Sequence, residues 1–173
     1  MTSRPLEPPL RIAVLTVSDG VTAGTREDAG GRAIVEWART RGALLTAHEV
    51  VVDASDRIAA ALIALTAAEP DVVITTGGTG LTRRDVTPEA TRAVIEREVP
   101  GIPERIRSAG AASTQYASLS RGIAGIRGAT LILNLPGSTG GVRDGLRVLD
   151  EVMDHAVQLL RGVDTDRHDP PHG

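Results

Sequence analysis

The chain has 173 residues, of which 41% are hydrophobic, and a formal net charge of -3. This size and composition suit one globular domain and exclude a disordered chain. Cysteine is absent, which excludes disulfides and thiolate metal sites; aromatic residues make up 1% of the chain and there is no basic excess, so we expect no nucleic-acid partner.

All 19 basic residues are arginines. A phosphate-binding P-loop lysine and a Schiff-base lysine are therefore impossible in this chain. Any phosphate that it binds must be held by backbone N–H groups, by arginine or by a metal ion.

No apolar run approaches the roughly 20 residues of a spanning helix, and the proline-rich, charged start of the chain is unlike a secretory signal. We therefore expect a cytoplasmic protein with no membrane partner. Residues 1–10 are predicted to form a flexible arm, residues 11–162 the folded domain, and residues 163–173 a disordered tail.

Four apolar runs rich in β-branched residues are typical of strands that are buried on both faces of a parallel sheet. In chain order these runs are Arg11–Val17, Leu44–Val52, Asp71–Thr76 and Ala129–Leu135.

Helical patterns separate the predicted strands. Apolar residues recur at helical spacing from Ile58 to Leu65, after Ser55 as a candidate N-cap. A long amphipathic helix is predicted from Val142 to Leu160.

A short helix is expected to start near Pro103, whereas residues 109–120 are small and polar and show no clear period. The alternation of strands and helices predicts a doubly wound α/β fold, a three-layer αβα sandwich with a mostly parallel central sheet.

The third run leads directly into Gly77-Gly78-Thr79-Gly80. Ligands of open parallel sheets bind beyond the carboxyl ends of the strands. Glycines there permit positive φ and close backbone approach, so several N–H groups could surround one anion. A tight turn without a ligand would explain the same residues.

Two aspartates follow strand ends and are candidate metal ligands. Asp85 lies between the glycine-rich stretch and a predicted helix start, for which Thr87 is the N-cap, Pro88 the first residue and Glu89 a first-turn acid. Asp53 follows the second run, where it could also cap the next helix. Together the two carboxylates could hold Mg²⁺ and nucleotide phosphates.

The fourth run leads into Pro136, Gly137 and Ser138, ahead of the final helix. Free N–H groups at a helix N-terminus and the hydroxyls of Ser138 and Thr139 form a ready anion site, although a simple capped turn would look the same. The histidines show no metal-ligand spacing, and we assign them no role.

Three stretches, VLTVSDGVTAG (residues 14–24), TTGGTGLTRRDVTPEAT (residues 75–91) and LILNLPGSTGG (residues 131–141), together resemble the MoaB/Mog family of molybdenum cofactor biosynthesis proteins. They also resemble the G domain of gephyrin and of the plant molybdenum-insertion proteins. The resemblance runs from about Arg11 to Arg161.

The resemblance implies a molybdopterin adenylyltransferase, which transfers AMP from Mg-ATP to the terminal phosphate of molybdopterin and releases pyrophosphate. It makes Asp53 and Asp85 the catalytic residues and the Mg²⁺ ligands. The substrate-binding residues that it implies are Ser18, Asp19, Thr76, Gly77, Gly78, Thr79, Gly80, Ser120, Arg121, Pro136, Gly137 and Ser138.

The same resemblance implies a homotrimer, with a hexamer as the alternative, and possible hand-over of the product to a molybdenum insertase. Three other functions stay open on the sequence: a noncatalytic molybdopterin-binding protein of the MoaB type, a scaffold, and a generic nucleotide-binding domain of the competence-damage type.

Overall fold

The computed structural model describes residues 6–163. Nearly all of the predicted tail and the first half of the predicted arm therefore lie outside the described residues, and the division of the chain at residues 10 and 162 stays a prediction. Among the residues described, no helix combines the length and the apolar character that crossing a membrane requires.

A six-stranded sheet with the strand order β2-β1-β3-β6-β5-β4 forms the centre of the fold. The first four strands in this order are mutually parallel, and β5 is antiparallel to both of its neighbours, β6 and β4. The predicted mostly parallel sheet is confirmed. The strands are β1 Arg11–Val17, β2 Leu44–Val51, β3 Val72–Thr76, β4 Arg97–Glu98, β5 Ala124–Arg127 and β6 Thr130–Leu135.

Helices cover both faces of the sheet and complete the predicted three-layer sandwich. They are α1 Asp19–Thr22, α2 Ala29–Thr40, α3 Ser55–Ala67, α4 Thr87–Arg92, α5 Gly101–Ala111 and α6 Thr139–Leu160, with a 3-10 helix over Gln115–Leu119.

The core lies on both sides of the sheet because successive residues of a strand point to opposite faces. Ile12 and Val14 of β1 belong to the apolar cluster that includes residues of α2, α5 and α6. Ala13 and Leu15 belong to the cluster that includes residues of α3 and α4. Strand β3 is buried throughout, as predicted for a strand covered on both faces.

The prediction that Leu44–Val52 is buried on both faces is wrong. The strand that forms there, β2, lies at the edge of the sheet, and its Leu44 is 57% exposed. An apolar run indicates that a segment favours a strand, but it does not indicate whether helices cover that strand.

Local details in two segments also differ from the predictions. Ser55 is the first residue of α3 rather than its N-cap, which is Ala54, and no side chain caps this helix. Helix α5 begins at Gly101, near the predicted start at Pro103, so the short helix expected there is confirmed. The two short antiparallel strands, β4 and β5, were not predicted.

Asp71 joins three parts of the fold at the amino end of β3. Its carboxylate accepts hydrogen bonds from the Arg161 guanidinium at 2.6 and 2.8 Å and from the backbone N–H of Arg11 at 2.7 Å. Arg161 also donates to the carbonyls of Pro8 and Pro9 at 2.7 and 3.2 Å. One largely buried ion pair therefore fastens the end of α6 to the sheet and to residues 8 and 9.

We expect Asp71→Asn to lower the free energy of unfolding by about 2 kcal/mol, because the buried Arg161 guanidinium loses its counter-charge. The two side chains are only 12% and 18% exposed. Urea unfolding at neutral pH measures the loss. Asp56→Asn, in a pair whose aspartate is 82% exposed, is the control and should cost about 0.5 kcal/mol or less. Equal losses in the two variants would contradict the prediction.

Candidate functional site

A cavity of about 1180 Å³ lies at the carboxyl ends of β1, β3 and β6. The loops after these strands form its walls, and Asp53 contributes from the end of β2. This is the position that an open parallel sheet predicts. Typical small-molecule sites measure roughly 300–1,000 Å³, so the cavity has room for more than one ligand group.

The predicted site residues converge on this cavity, and all of them except Arg121 line it. The lining residues among them are Ser18, Asp19, Asp53, Thr76, Gly77, Gly78, Thr79, Gly80, Asp85, Ser120, Pro136, Gly137 and Ser138. Their proposed chemical roles stay predictions.

The glycine loop, residues 77–80, follows β3 and requires glycine at its first two positions. Gly77 and Gly78 have φ values of 95° and 64°, which side-chain-bearing residues rarely adopt. A Cβ on Gly77 would also overlap the carbonyl of Val17, and one on Gly78 would overlap the hydroxyl of Thr87. The loop therefore passes closer to its neighbours than a residue with a side chain allows.

Thr87 holds the first half of the glycine loop. Its hydroxyl donates to the carbonyl of Gly77 at 2.9 Å, and its backbone N–H donates to the carbonyl of Gly78 at 3.0 Å. The prediction that Thr87 caps a helix is wrong: α4 begins at Thr87, its N-cap is Val86, and no side chain caps it. The buried hydroxyl is used to fix the loop instead.

Arg121 holds the second half of the glycine loop. Its backbone N–H donates to the carbonyl of Thr79 at 2.9 Å, and its Nε donates to that of Gly80 at 2.8 Å. Its Nη2 donates to the carbonyl of Asp85 at 2.5 Å, and its Nη1 pairs with Glu89. Arg121 was predicted to bind substrate, whereas the structure places its guanidinium against the loop and outside the cavity lining.

The ion pair between Arg121 and Glu89 changes the ionisation of both groups. The hydrogen bond from Arg121 lowers the pKa of Glu89. The same bond raises the pKa of Arg121. Both groups are therefore more firmly charged in the folded protein than in the unfolded chain.

All four carbonyls of the glycine loop thus accept hydrogen bonds. Of its four N–H groups, two have an acceptor and two do not. Gly77 N–H donates to the carbonyl of Leu135 at 3.3 Å, and Gly80 N–H donates to Asp85. Those of Gly78 and Thr79 have no acceptor within residues 6–163. Because both residues line the cavity, these two N–H groups are the candidates in this loop for binding an anion.

Asp19 and Asp53 join the ends of β1 and β2 at the cavity wall. The N–H of Asp19 donates to Asp53 Oδ2 at 2.7 Å, and the N–H of Asp53 donates to Asp19 Oδ1 at 3.0 Å. Arg84 pairs with Asp19 Oδ2. Hydrogen bonds from Arg84 and from the backbone of Asp53 lower the pKa of Asp19, so Asp19 is ionised at neutral pH.

Asp85 is anchored by the turn in which it lies. Its Oδ2 accepts from the N–H and the hydroxyl of Thr82 at 2.8 and 2.6 Å. Partial burial acts to raise the pKa of Asp85, but the hydrogen bonds from Thr82 and Gly80 and the charge of Arg121 outweigh it, so the pKa is lowered. The cavity therefore contains a fixed carboxylate at this position.

Another wall of the cavity comes from residues 26–30, a segment that the sequence analysis did not use. Asp28 accepts from Thr16 Oγ1 at 2.9 Å and from the N–H of Gly31 at 2.8 Å, and it lies 2.9 Å from His48 Nε2. An acid directly before the small residues that open α2 is an N-cap signal, and it could have located this wall. The other missed lining residues include Gly20, Val21, Arg26, Glu27, Ala29, Gly30, Leu81, Thr82, Arg84, Tyr116 and Leu119, whereas the predicted Thr139 also lines the cavity.

Comparison with known proteins decides the family. The pattern described as "Probable molybdopterin binding domain" matches residues 13–155 of this chain. The chain belongs to the molybdopterin-binding domain family. This confirms the family that the three sequence stretches indicated.

Relatives of this molybdopterin-binding domain match over most of the chain or over part of it. The molybdopterin adenylyltransferase of Helicobacter pylori strain J99 is 38% identical, over 88% of this chain and 89% of that protein. The molybdenum cofactor synthesis protein cinnamon of Drosophila melanogaster is 51% identical over 51% of this chain, and the match spans only 15% of its own length.

The fold of the domain also has solved counterparts. The crystal structure of MoaB, a molybdopterin biosynthesis enzyme of Thermus thermophilus, superposes with a TM-score of 0.83. The two sequences are 45% identical, and the match covers 88% of this chain and 97% of that one.

The low pKa of Glu89 predicts a pH-dependent contribution to stability. A group whose pKa is depressed by folding stabilises the fold above its unfolded pKa, and the contribution is lost as pH falls through the folded pKa. We expect Glu89→Gln to lower the free energy of unfolding by roughly 0.5–1 kcal/mol at pH 7. The difference from wild type should shrink as pH falls below about 4.

Urea unfolding at a series of pH values between 7 and 3 measures this difference. Glu36→Gln, which alters an exposed pair on α2, is the control and should stay close to wild type throughout. A Glu89→Gln difference that is constant over the whole range would contradict the prediction.

Proposed function

We propose that this molybdopterin-binding domain is an adenylyltransferase that transfers AMP from Mg-ATP to the terminal phosphate of molybdopterin and releases pyrophosphate. The similarity to the Helicobacter pylori enzyme along nearly the full length of both chains supports this activity. The observation that carries the proposal for the site is that Asp53, Asp85 and the glycine loop line one cavity.

In the proposed reaction a terminal phosphate oxygen of molybdopterin attacks the α-phosphorus of ATP. The bond between the α-phosphorus and the oxygen that bridges to the β-phosphate breaks, and pyrophosphate leaves with the electron pair. The nucleophile is already anionic at neutral pH, so the step does not require a general base. Positioning and charge stabilisation are then the main tasks of the protein.

The glycine loop is suited to the stabilisation of charge. The N–H groups of Gly78 and Thr79 would donate to phosphate oxygens, and they are held in place because Thr87 and Arg121 bind the loop carbonyls. Donors that are fixed before the reaction stabilise developing charge without reorganising. The N-terminus of α6, capped by Ser138 Oγ, which accepts from Gly141 N–H at 3.1 Å, offers a second anion position.

The acidic residues of the cavity fit a magnesium ion that is shared with the nucleotide. Mg²⁺ commonly uses one or two carboxylates together with substrate phosphates. Within residues 6–163 no group of three or more His, Cys, Asp or Glu side chains could hold a metal ion alone. We propose that Asp53 and Asp85 hold the ion, which would neutralise phosphate charge when bound.

We expect Asp53→Asn and Asp85→Asn each to reduce adenylyl transfer by at least about 100-fold, since each removes a charge that would hold the metal. Purified protein, molybdopterin, ATP and Mg²⁺ are combined, and adenylylated pterin and pyrophosphate are measured. Asp56→Asn, on an exposed pair outside the cavity, is the matched control.

Wild-type rates in both cavity variants would refute the assigned roles. A wild-type protein that binds molybdopterin without forming adenylylated product would instead support the noncatalytic alternative.

A homotrimer is a further part of the proposal and rests on the family resemblance. The exposed edge strand β2 carries Leu44, Leu45 and Val50, and apolar side chains on an exposed strand suit contact with another subunit. We expect sedimentation velocity to give three times the chain mass of 18.0 kDa. A mass of one or six chains would contradict the trimer.

We also propose a cytoplasmic location and hand-over of the product to a molybdenum insertase. The match to a small part of the much longer cinnamon protein supports a link to other steps of cofactor synthesis.

A further inference from the structure

The chain has two aromatic residues, one tryptophan and one tyrosine, and the structure uses them differently. Trp37 joins two helices: its Nε1 donates to Asp150 Oδ1 at 2.9 Å, and the Arg41 guanidinium lies 5.2 Å from the centre of its ring. Tyr116 is 67% exposed and lines the cavity. Its ring is therefore free to contact a ligand there.

Two large apolar side chains accompany Tyr116 in the cavity lining. Leu81, directly after the glycine loop, is 65% exposed, and Leu119, at the end of the 3-10 helix, is 48% exposed. We call these three residues the apolar lip. Exposed apolar surface beside a largely polar binding site is typical of contact with an apolar part of a ligand.

The backbone that carries the lip is fixed. The Thr114 hydroxyl accepts from the N–H of Tyr116 at 3.3 Å and caps the 3-10 helix. Arg107 donates to the carbonyls of Ser120 and Gly122 at 3.3 and 3.0 Å, just after the lip. Gly110 of α5 packs so closely on Ala117 that an added Cβ would lie 2.9 Å from the Ala117 Cβ.

The lip is also tied to the proposed phosphate site. The backbone N–H of Arg121, two residues after Leu119, donates to the carbonyl of Thr79 in the glycine loop at 2.9 Å. The lip residue Leu81 adjoins the other end of that loop. A ligand whose phosphate lies at the glycine loop would therefore extend its remaining part along a wall that includes the lip.

We propose that the apolar lip stacks against the flat nitrogen heterocycle of a cavity ligand, with the Tyr116 ring as the main contact. This deepens the proposed function and rests on it, because both of its substrates, ATP and molybdopterin, join such a ring to phosphate. A ring that stacks on an aromatic side chain gains affinity without specific hydrogen bonds. The adenine of ATP and the pterin are the two possible sources of the ring.

The test measures the dissociation constants of wild type, Tyr116→Ala, Tyr116→Phe and Leu119→Ala for Mg-ATP, molybdopterin and Mg-tripolyphosphate separately. Tripolyphosphate has phosphates but no ring. We expect Tyr116→Ala to weaken one heterocyclic ligand roughly tenfold and to leave tripolyphosphate unchanged. Tyr116→Phe, which keeps the ring, should bind as wild type does, and Leu119→Ala should lose a few-fold.

Leu159→Ala is the matched control, because Leu159 is an exposed leucine of α6 outside the cavity lining. A second readout is independent of variants. The chain has one tyrosine, so protein labelled with ¹³C at the tyrosine ring gives NMR signals from Tyr116 alone. The stacked ligand should shift these signals through its ring current, whereas tripolyphosphate should not.

The ligand that responds identifies the ring. A change in the affinity for ATP or in the tyrosine signals with ATP assigns adenine, and the same change with molybdopterin assigns the pterin. The proposal is overturned if Tyr116→Ala binds both ligands as wild type does and neither moves the tyrosine signals, or if wild type binds neither. Failure of the proposed function is distinguishable, because wild type would then form no adenylylated pterin while the lip still responded to a bound ring.

Discussion

The cavity depends on one constraint, the binding of every carbonyl of the glycine loop by Thr87 and Arg121. A backbone that bends sharply exposes donors and acceptors alike, and an exposed carbonyl repels phosphate. Here the hydroxyl and N–H of Thr87 and the N–H and Nε of Arg121 occupy the four oxygens. The backbone groups that the loop still offers to a ligand are therefore N–H donors, which carry partial positive charge. The loop can attract an anion in this way although the chain has no lysine.

Arginine suits this role better than lysine would. Its planar guanidinium has five N–H donors in a fixed arrangement, so one side chain reaches the carbonyls of Gly80 and Asp85 and the carboxylate of Glu89. The charge is matched by Glu89, which keeps Arg121 beside the loop. Asp85 is thus oriented from both sides, by Thr82 in its own turn and by Arg121 through its backbone.

Much of the fold could be predicted from the sequence, because apolar runs and helical spacing report local structure. Strand β3 was predicted correctly since both of its faces are covered. The same type of run predicted the wrong burial for β2, because an edge position is decided by the order of strands and not by the residues of one strand. Strand β4, with two residues, is too short for any periodicity to reveal.

The site could be predicted in part for a related reason. Glycines and acids after strands identify loops at the carboxyl edge, and these loops do line the cavity. The work of Thr87 and Arg121 was missed because it consists of hydrogen bonds between separate segments, and Thr87 also fits a capping pattern. Asp28 carried an N-cap signal that was not used, whereas Tyr116 comes from a segment whose position relative to the strand ends only the folded chain defines.

The Asp71 ion pair and the cavity lie at opposite edges of the sheet. Residues 8, 9 and 11 and the end of α6 meet at the amino end of β3, whereas the cavity opens at the carboxyl ends of the strands. The first and last segments that the structure describes therefore meet at the edge of the sheet opposite to the cavity. The contacts that hold these segments together therefore leave the opposite edge of the sheet, where the cavity lies, open to a ligand.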